Sequence, residues 1–194
     1  MSTKVSIVTL GCARNEVDSE ELAAKLLVDG TEIVSEPSQA DAVFVNTCGF
    51  IEAAKKDSID TLLAANDLKG TTNVKAVIAV GCMAERYGNE LAKELPEADA
   101  ILGFDDYDVI AARLNEVLQG NKPAAPIPQD RRLLLPISPV KRAENRNEKE
   151  LQRFRLDDKP TSPLKLASGC DRRCTFCAIP RFRGAYLSRR PAEI

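Results

Sequence analysis

The feature that most restricts what this chain can fold into is a regular alternation of short aliphatic, β-branched runs with longer segments that carry apolar residues at helical spacing. Residues 4–10 (KVSIVTL) read as a strand ended by Gly11. Helical spacing begins near Val17, places Leu22, Leu26 and Leu27 on one face, and closes at Asp29-Gly30. Residues 32–35 make a short second strand, 42–46 (AVFVN) a buried third, and 51–66 a helix with Ile59, Leu62 and Leu63 on its apolar side. Residues 76–80 (AVIAV) form another buried strand, 84–95 a helix, 100–102 a short strand, and 109–119 a helix with Ile110, Leu114, Val117 and Leu118 in register. Such alternation requires right-handed crossovers between parallel strands. The expected fold class is therefore α/β, a doubly wound parallel sheet with helices on both faces.

The pattern stops at Gly120. Prolines at 123, 126, 128, 136, 139, 160 and 163, with the charged run 141–150 (KRAENRNEKE) among them, read as a linker holding a candidate edge strand at 133–135. Residues 164–167 look like the first strand of a second unit. A chain of 194 residues has room for one domain and the beginning of another, so it reads as part of a longer protein. The expected organisation is a domain over 1–120, a linker over 121–160 and an incomplete second domain over 161–194. No internal repeat is present.

With no histidine, the sequence excludes imidazole acid–base chemistry and every histidine-containing metal site from this stretch. No apolar run approaches the roughly 18 residues of a membrane span, and residues 1–10 lack the apolar stretch of a secretion signal, so the expected compartment is the cytoplasm. In a reducing compartment the six cysteines are candidates for metal or redox work rather than disulfides. Charge is unevenly spread. Residues 1–120 hold ten Lys and Arg against twenty-one Asp and Glu, whereas 121–194 hold seventeen against eight. The acidic part is ill suited to gripping a nucleic-acid backbone and suits a basic protein partner, although acidic helices also serve solubility alone.

Three cysteines, Cys12, Cys48 and Cys82, each follow the carboxyl end of an expected strand and each have a glycine neighbour. In a parallel sheet those ends share one edge, where open α/β folds bind their ligands, so thiols far apart in sequence converge there. Glycine lets the backbone approach a bulky group, and the following helix amino termini favour thiolate. The alternative is that all three are small buried residues ending strands. A structural zinc would want a fourth protein ligand, here a carboxylate, whereas an iron–sulfur cluster with one open iron needs only three thiolates.

Gly169-Cys170-Asp171-Arg172-Arg173-Cys174-Thr175-Phe176-Cys177 is more specific. It resembles the radical S-adenosylmethionine (SAM) signature Cys-x3-Cys-x-aromatic-Cys, with half of a zinc site or coincidence as the alternatives. The resemblance implies that Cys170, Cys174 and Cys177 hold three corners of a 4Fe-4S cluster, that the fourth iron takes the amino and carboxylate groups of SAM, and that Phe176 packs near the adenine.

Over most of the chain, VTLGCARNEVDSEEL, VNTCGFIEAAKKDSI, GCMAERY and GCDRRCTFCAIPRFRGAYLSRRP resemble the methylthiotransferase family. Asn-Thr-Cys-Gly-Phe-Ile and Cys-Ala-Ile-Pro are closest in wording to its RimO branch, which modifies ribosomal protein S-twelve; the tRNA-modifying MiaB branch is the near alternative. The resemblance implies two 4Fe-4S clusters, one at Cys12, Cys48 and Cys82 and one at Cys170, Cys174 and Cys177, with SAM as cofactor. It implies transfer of a methylthio group to the β-carbon of an aspartate of ribosomal protein S-twelve. A reductant such as flavodoxin or ferredoxin is the implied electron source, with neither membrane nor nucleic acid bound by the first domain. A non-enzymatic iron–sulfur or electron-transfer protein is the rival outside this class.

Two weaker features remain. Asp105, Asp106 and Asp108 could form a cation site, but they precede a helix, where acidic residues cap and complement the dipole. Arg181, Arg183, Arg189 and Arg190 could meet nucleic acid or the SAM carboxylate, or form a solvated basic loop.

Overall fold

The computed structural model describes residues 2–134, 153–191 and 194. Its centre is a five-stranded parallel sheet of β1 (Lys4–Thr9), β2 (Glu32–Ile33), β3 (Ala42–Thr47), β4 (Ala76–Gly81) and β5 (Ala100–Ile101), in the spatial order β2-β1-β3-β4-β5. That order reverses direction between β1 and β3, and doubly wound sheets bind ligands beyond the strand ends at such a point. Every residue of β3 and β4 is buried, because helices cover both faces. This is why those strands read as continuous apolar runs rather than alternating ones.

The two faces separate residue by residue. Phe44 and Ile78 point to the side covered by α1 (Ala13–Val28) and α4 (Ile110–Leu118), where they meet Leu22, Leu26, Ile110 and Leu114. Val43, Val45 and Val77 point to the side of α2 (Glu52–Asp67) and α3 (Cys82–Glu94), against Leu62, Met83 and Leu91. Phe44 is fully buried, so truncating it to alanine would remove about 3–5 kcal/mol.

Several expectations change in the structure: Ile59 and Leu63, expected on the apolar side of α2 with Leu62, are exposed, and that helix buries Ser58, Leu62 and Ala65 instead. Helix α1 starts at Ala13, four residues before the apolar spacing begins, because the Cys12 carbonyl accepts from Asn15 N–H at 2.8 Å and the buried residue of that first turn is the polar Asn15. Helix α3 likewise starts at Cys82 rather than at residue 84. The expected edge strand at 133–135 is instead part of a 3-10 turn, Arg131–Leu134, with Leu135 outside the described residues. Arg131 is pinned by Glu85 and Asp105, while Leu133 and Leu134 are exposed, and among the described residues no strand pairs with them.

Residues 121–134 run along the domain, with Pro126 accepting from Asn89 N–H at 3.0 Å and Lys122 donating to the Ala98 carbonyl at 3.0 Å. The charged run 141–150 lies outside the described residues. Further on, the strand expected at 164–167 is realised as the two-residue β6 (Ala167–Ser168), paired antiparallel with β7 (Leu187–Ser188). Between them lie the second cysteine loop and the short helix α5 (Ile179–Arg183). No helix among the described residues is long and apolar enough to cross a membrane.

Candidate functional site

Cys12, Cys48 and Cys82 follow β1, β3 and β4, which are neighbours in the sheet, and the registers Thr9 with Asn46 and Thr47 with Gly81 bring their carboxyl ends level. Cys12 is exposed at the amino terminus of α1, whereas Cys48 and Cys82 are buried. Two glycines make this approach possible. A β-carbon on Gly11 would sit 2.8 Å from Cys48 Cβ and 3.0 Å from its sulfur, and at Gly81 it would collide with Asn46 and the Thr47 backbone. Both have positive φ, 95° and 90°, a region that side chains rarely enter.

Asn15 is the hub of this edge. Its Nδ2 donates to the Leu10 carbonyl at 2.8 Å and to the Thr47 carbonyl at 3.2 Å, joining the ends of β1 and β3. Its Oδ1 accepts from the Cys82 thiol at 3.5 Å, which brings in the end of β4. Asn46 supports it by donating to the Asn15 carbonyl and to Ser19 Oγ, and Ser58 Oγ accepts from the Cys48 N–H at 2.9 Å. Asn46 Oδ1 and the Tyr107 hydroxyl are buried with no hydrogen-bond partner among the described residues. An open, under-satisfied polar edge of this kind is a place for a ligand.

Arg183 enters the same edge from α5. Its Nη2 donates to Cys82 Sγ at 2.9 Å and to Asn15 Oδ1 at 2.9 Å, and lies 2.8 Å from Asp18 Oδ2 as an ion pair. Its guanidinium also sits 5.0 Å from the centre of the Phe104 ring. Burial pushes the Cys82 thiol up to about 11, and Arg183 beside it opposes that rise. Burial also works against the charge of Arg183, but Asp18 and Cys82 hold its pKa above the ordinary value. Sequence reasoning saw Arg183 as one of a basic group and missed its role here. No local pattern could have shown it, because its partners lie 101 and 168 positions away.

The basic segment docks on an acidic row of α1. Lys165 Nζ lies 2.5 Å from Asp18 and 3.2 Å from Glu21; Arg189 pairs with Glu21, and Arg153 with Glu20. Part of the basic excess of the later segment is thus paired with the acidic excess of α1 within the chain. Asp105, Asp106 and Asp108 separate to Arg131, Arg113 and Lys25, and Asp106 caps its turn by accepting from Gly103 N–H at 3.0 Å, so capping and pairing account for them.

The second trio lies on the loop between β6 and α5. Cys174 is exposed and Cys170 and Cys177 are half-buried; the loop is closed by Cys177 N–H to the Cys174 carbonyl at 3.2 Å and Cys170 N–H to the Gly184 carbonyl at 3.1 Å. Phe176 is 85% exposed. A cleft of about 510 Å³ beside them is lined by Arg86, Arg132, Arg172, Arg173 and Arg181. No group of three His, Cys, Asp or Glu among the described residues is already gathered around a single-ion position. What fits a sulfur-ligated group is the donor chemistry at each centre, three thiols with no imidazole, and at the first centre strand ends that Gly11 and Gly81 let pack closely, with buried polar atoms that have no partner among the described residues.

Comparison with known proteins places this geometry in context. A family model described as "Uncharacterized protein family UPF0004" matches residues 4–103. The "Ribosomal protein uS12 methylthiotransferase RimO" of Nocardioides sp. is 59% identical over 202 residues, covering 98% of this chain and 42% of the relative. Proteins of the same name are 57% identical in Cutibacterium acnes (98% and 44% covered) and 56% in Streptomyces coelicolor (100% and 43%). The chain therefore spans less than half the length of the curated relatives it matches.

Proposed function

Because the chain belongs to the uncharacterized protein family UPF0004, we propose that it is the amino-terminal portion of a radical-SAM methylthiotransferase acting on ribosomal protein uS12. The observation that carries this reading is the convergence of the Cys12, Cys48 and Cys82 loops on one sheet edge around Asn15, with the second cysteine loop tied to that edge through Arg183. The high identity along the chain to relatives named for that activity supports it.

In this reading Cys12, Cys48 and Cys82 hold one 4Fe-4S cluster, Cys170, Cys174 and Cys177 hold a second, and Phe176 lies beside SAM. When bound, these groups supply one-electron chemistry and sulfur, which no protein acid or base provides. The chain's own residues do the positioning. Asn15 fixes the strand ends, Gly11 and Gly81 let those ends approach closely, and the paired row of Asp18, Glu20 and Glu21 with Lys165, Arg189 and Arg153 holds the second loop against the first domain. The functional units are residues 1–120, the linker 121–160 and the opening of a second domain at 161–194. The cytoplasm is the working compartment and a flavodoxin- or ferredoxin-like reductant the electron source.

Anaerobic reconstitution of the chain should load about eight irons, four per cluster. Replacing Cys12, Cys48 and Cys82 together by Ala should halve the iron, and so should replacing Cys170, Cys174 and Cys177. If either triple variant keeps the full load, the assignment of two independent centres is wrong. In the complete enzyme the first variant should still cleave SAM and the second should not.

A further inference from the structure

We propose that Arg183 is a positioning residue that sets the reduction potential of the iron–sulfur group at Cys12, Cys48 and Cys82, by donating a hydrogen bond to the Cys82 sulfur from the element that carries the second cysteine loop. The inference rests on the cluster reading above. Its basis is where Arg183 stands. Helix α5 begins two residues after Cys177 and ends at Arg183; the next residue, Gly184, accepts from the Cys170 backbone N–H at 3.1 Å. One short segment is therefore fastened to the second loop at both ends. Its last side chain crosses into the first domain and ends on Cys82 Sγ at 2.9 Å.

The site is built to keep it there. The side chain is 7% exposed, Phe182 before it is buried, Asp18 balances the charge, Asn15 accepts a second bond and Phe104 lies under the guanidinium. A buried cation with this many fixed partners is held in one geometry: the two hydrogens of Nη2 are shared among the Cys82 sulfur, Asn15 Oδ1 and the Asp18 carboxylate. Hydrogen bonds to ligating sulfurs are among the factors that set iron–sulfur potentials. A donor aimed at a thiolate stabilises the form carrying more negative charge, so it favours the reduced state. The electron in the test comes from dithionite, which is oxidised to sulfite; no bond to Cys82 forms or breaks.

The test uses the chain with Cys170, Cys174 and Cys177 replaced by Ala, so that one centre remains, reconstituted anaerobically and titrated with dithionite under spectroscopic observation. At a fixed solution potential, Arg183→Ala should lower the ratio of reduced to oxidised cluster about tenfold, equivalent to about 59 mV for one electron. The iron content should stay unchanged. Arg183→Lys, which keeps the cation, should recover at least half of the loss on a logarithmic scale. An unchanged ratio in Arg183→Ala with full iron overturns the inference, as does a Lys variant no better than Ala. If Arg183→Ala does not fold, Arg183→Lys and Arg183→Gln decide it: the Lys variant must hold the higher ratio, and equal ratios overturn the claim. If the protein with Arg183 intact takes up no iron at the remaining cysteines, the cluster reading itself fails, an outcome distinct from the others.

Discussion

The side-chain amide of Asn46, at the end of β3, donates to the backbone carbonyl of Asn15 in the first turn of α1 at 2.9 Å, while Asn15 returns its own amide to the carbonyl of Thr47, beside Asn46, at 3.2 Å. Two fully buried asparagines thus lock a helix start to a strand end, and the cysteine loops lie around the lock. Replacing Asn15 by an apolar residue would take a donor from the Leu10 and Thr47 carbonyls, and replacing Asn46 would cut the tie from β3 to the first turn of α1.

Asn15→Ala should therefore cost about 1–3 kcal/mol, the usual penalty for leaving buried polar groups unsatisfied, read as a lower midpoint in urea unfolding of the metal-free chain. A loss under about 0.5 kcal/mol would show that water takes over its bonds and that Asn15 is not the hub described.

Gly81 and Gly30 separate steric from conformational cost. Both have positive φ, 90° and 83°, but a β-carbon at Gly30 meets nothing within 4 Å, whereas at Gly81 it runs into Asn46 and Thr47. Gly30→Ala should lose about 1–2 kcal/mol from the left-handed backbone alone. Gly81→Ala should lose clearly more, or fail to fold. Equal losses in thermal unfolding would mean that the strand ends are looser than described.

Ion pairs in this chain should differ sharply in worth. Asp18 is 6% exposed and is the carboxylate partner of the buried Arg183, Lys165 keeping Glu21, so Asp18→Asn leaves a buried guanidinium uncompensated and should cost about 3–5 kcal/mol. The Lys56 and Asp60 pair stands on the open face of α2, and Asp60→Asn should change stability by no more than about 0.5 kcal/mol. Comparable effects of the two substitutions in denaturant titrations would contradict the buried docking row.

The same carboxylate predicts the acid behaviour. Burial alone would raise the Asp18 pKa, but Arg183 and Lys165 outweigh it and hold the group below its ordinary 3.8. Since the folded pKa is depressed, its contribution is complete above pH 3.8 and is lost as pH falls through the folded value. Asp41, beside Lys75 and the Lys4 N–H, and Asp105, beside Arg131, act with the same sign. Stability should fall as the pH drops below this range, and Asp18→Asn should flatten the slope. An unchanged slope in that variant would refute the assignment.

What the sequence determined by itself follows from short-range physics. Continuous apolar runs such as AVFVN and AVIAV, set between segments of helical spacing, left only a parallel sheet covered on both faces, and strand-end placement marked Cys12, Cys48 and Cys82 as one group. Hydrophobic spacing was silent about the first turn of α1, because the residue buried there is an asparagine. It misread 133–134, because aliphatic residues with no neighbouring strand among the described residues form a turn as readily as a strand. Tertiary structure alone decided that Arg183 ends on Cys82 and that Lys165 and Arg189 end on α1. These contacts join residues more than 100 positions apart, and a charged side chain carries no local mark of the partner it will be buried against.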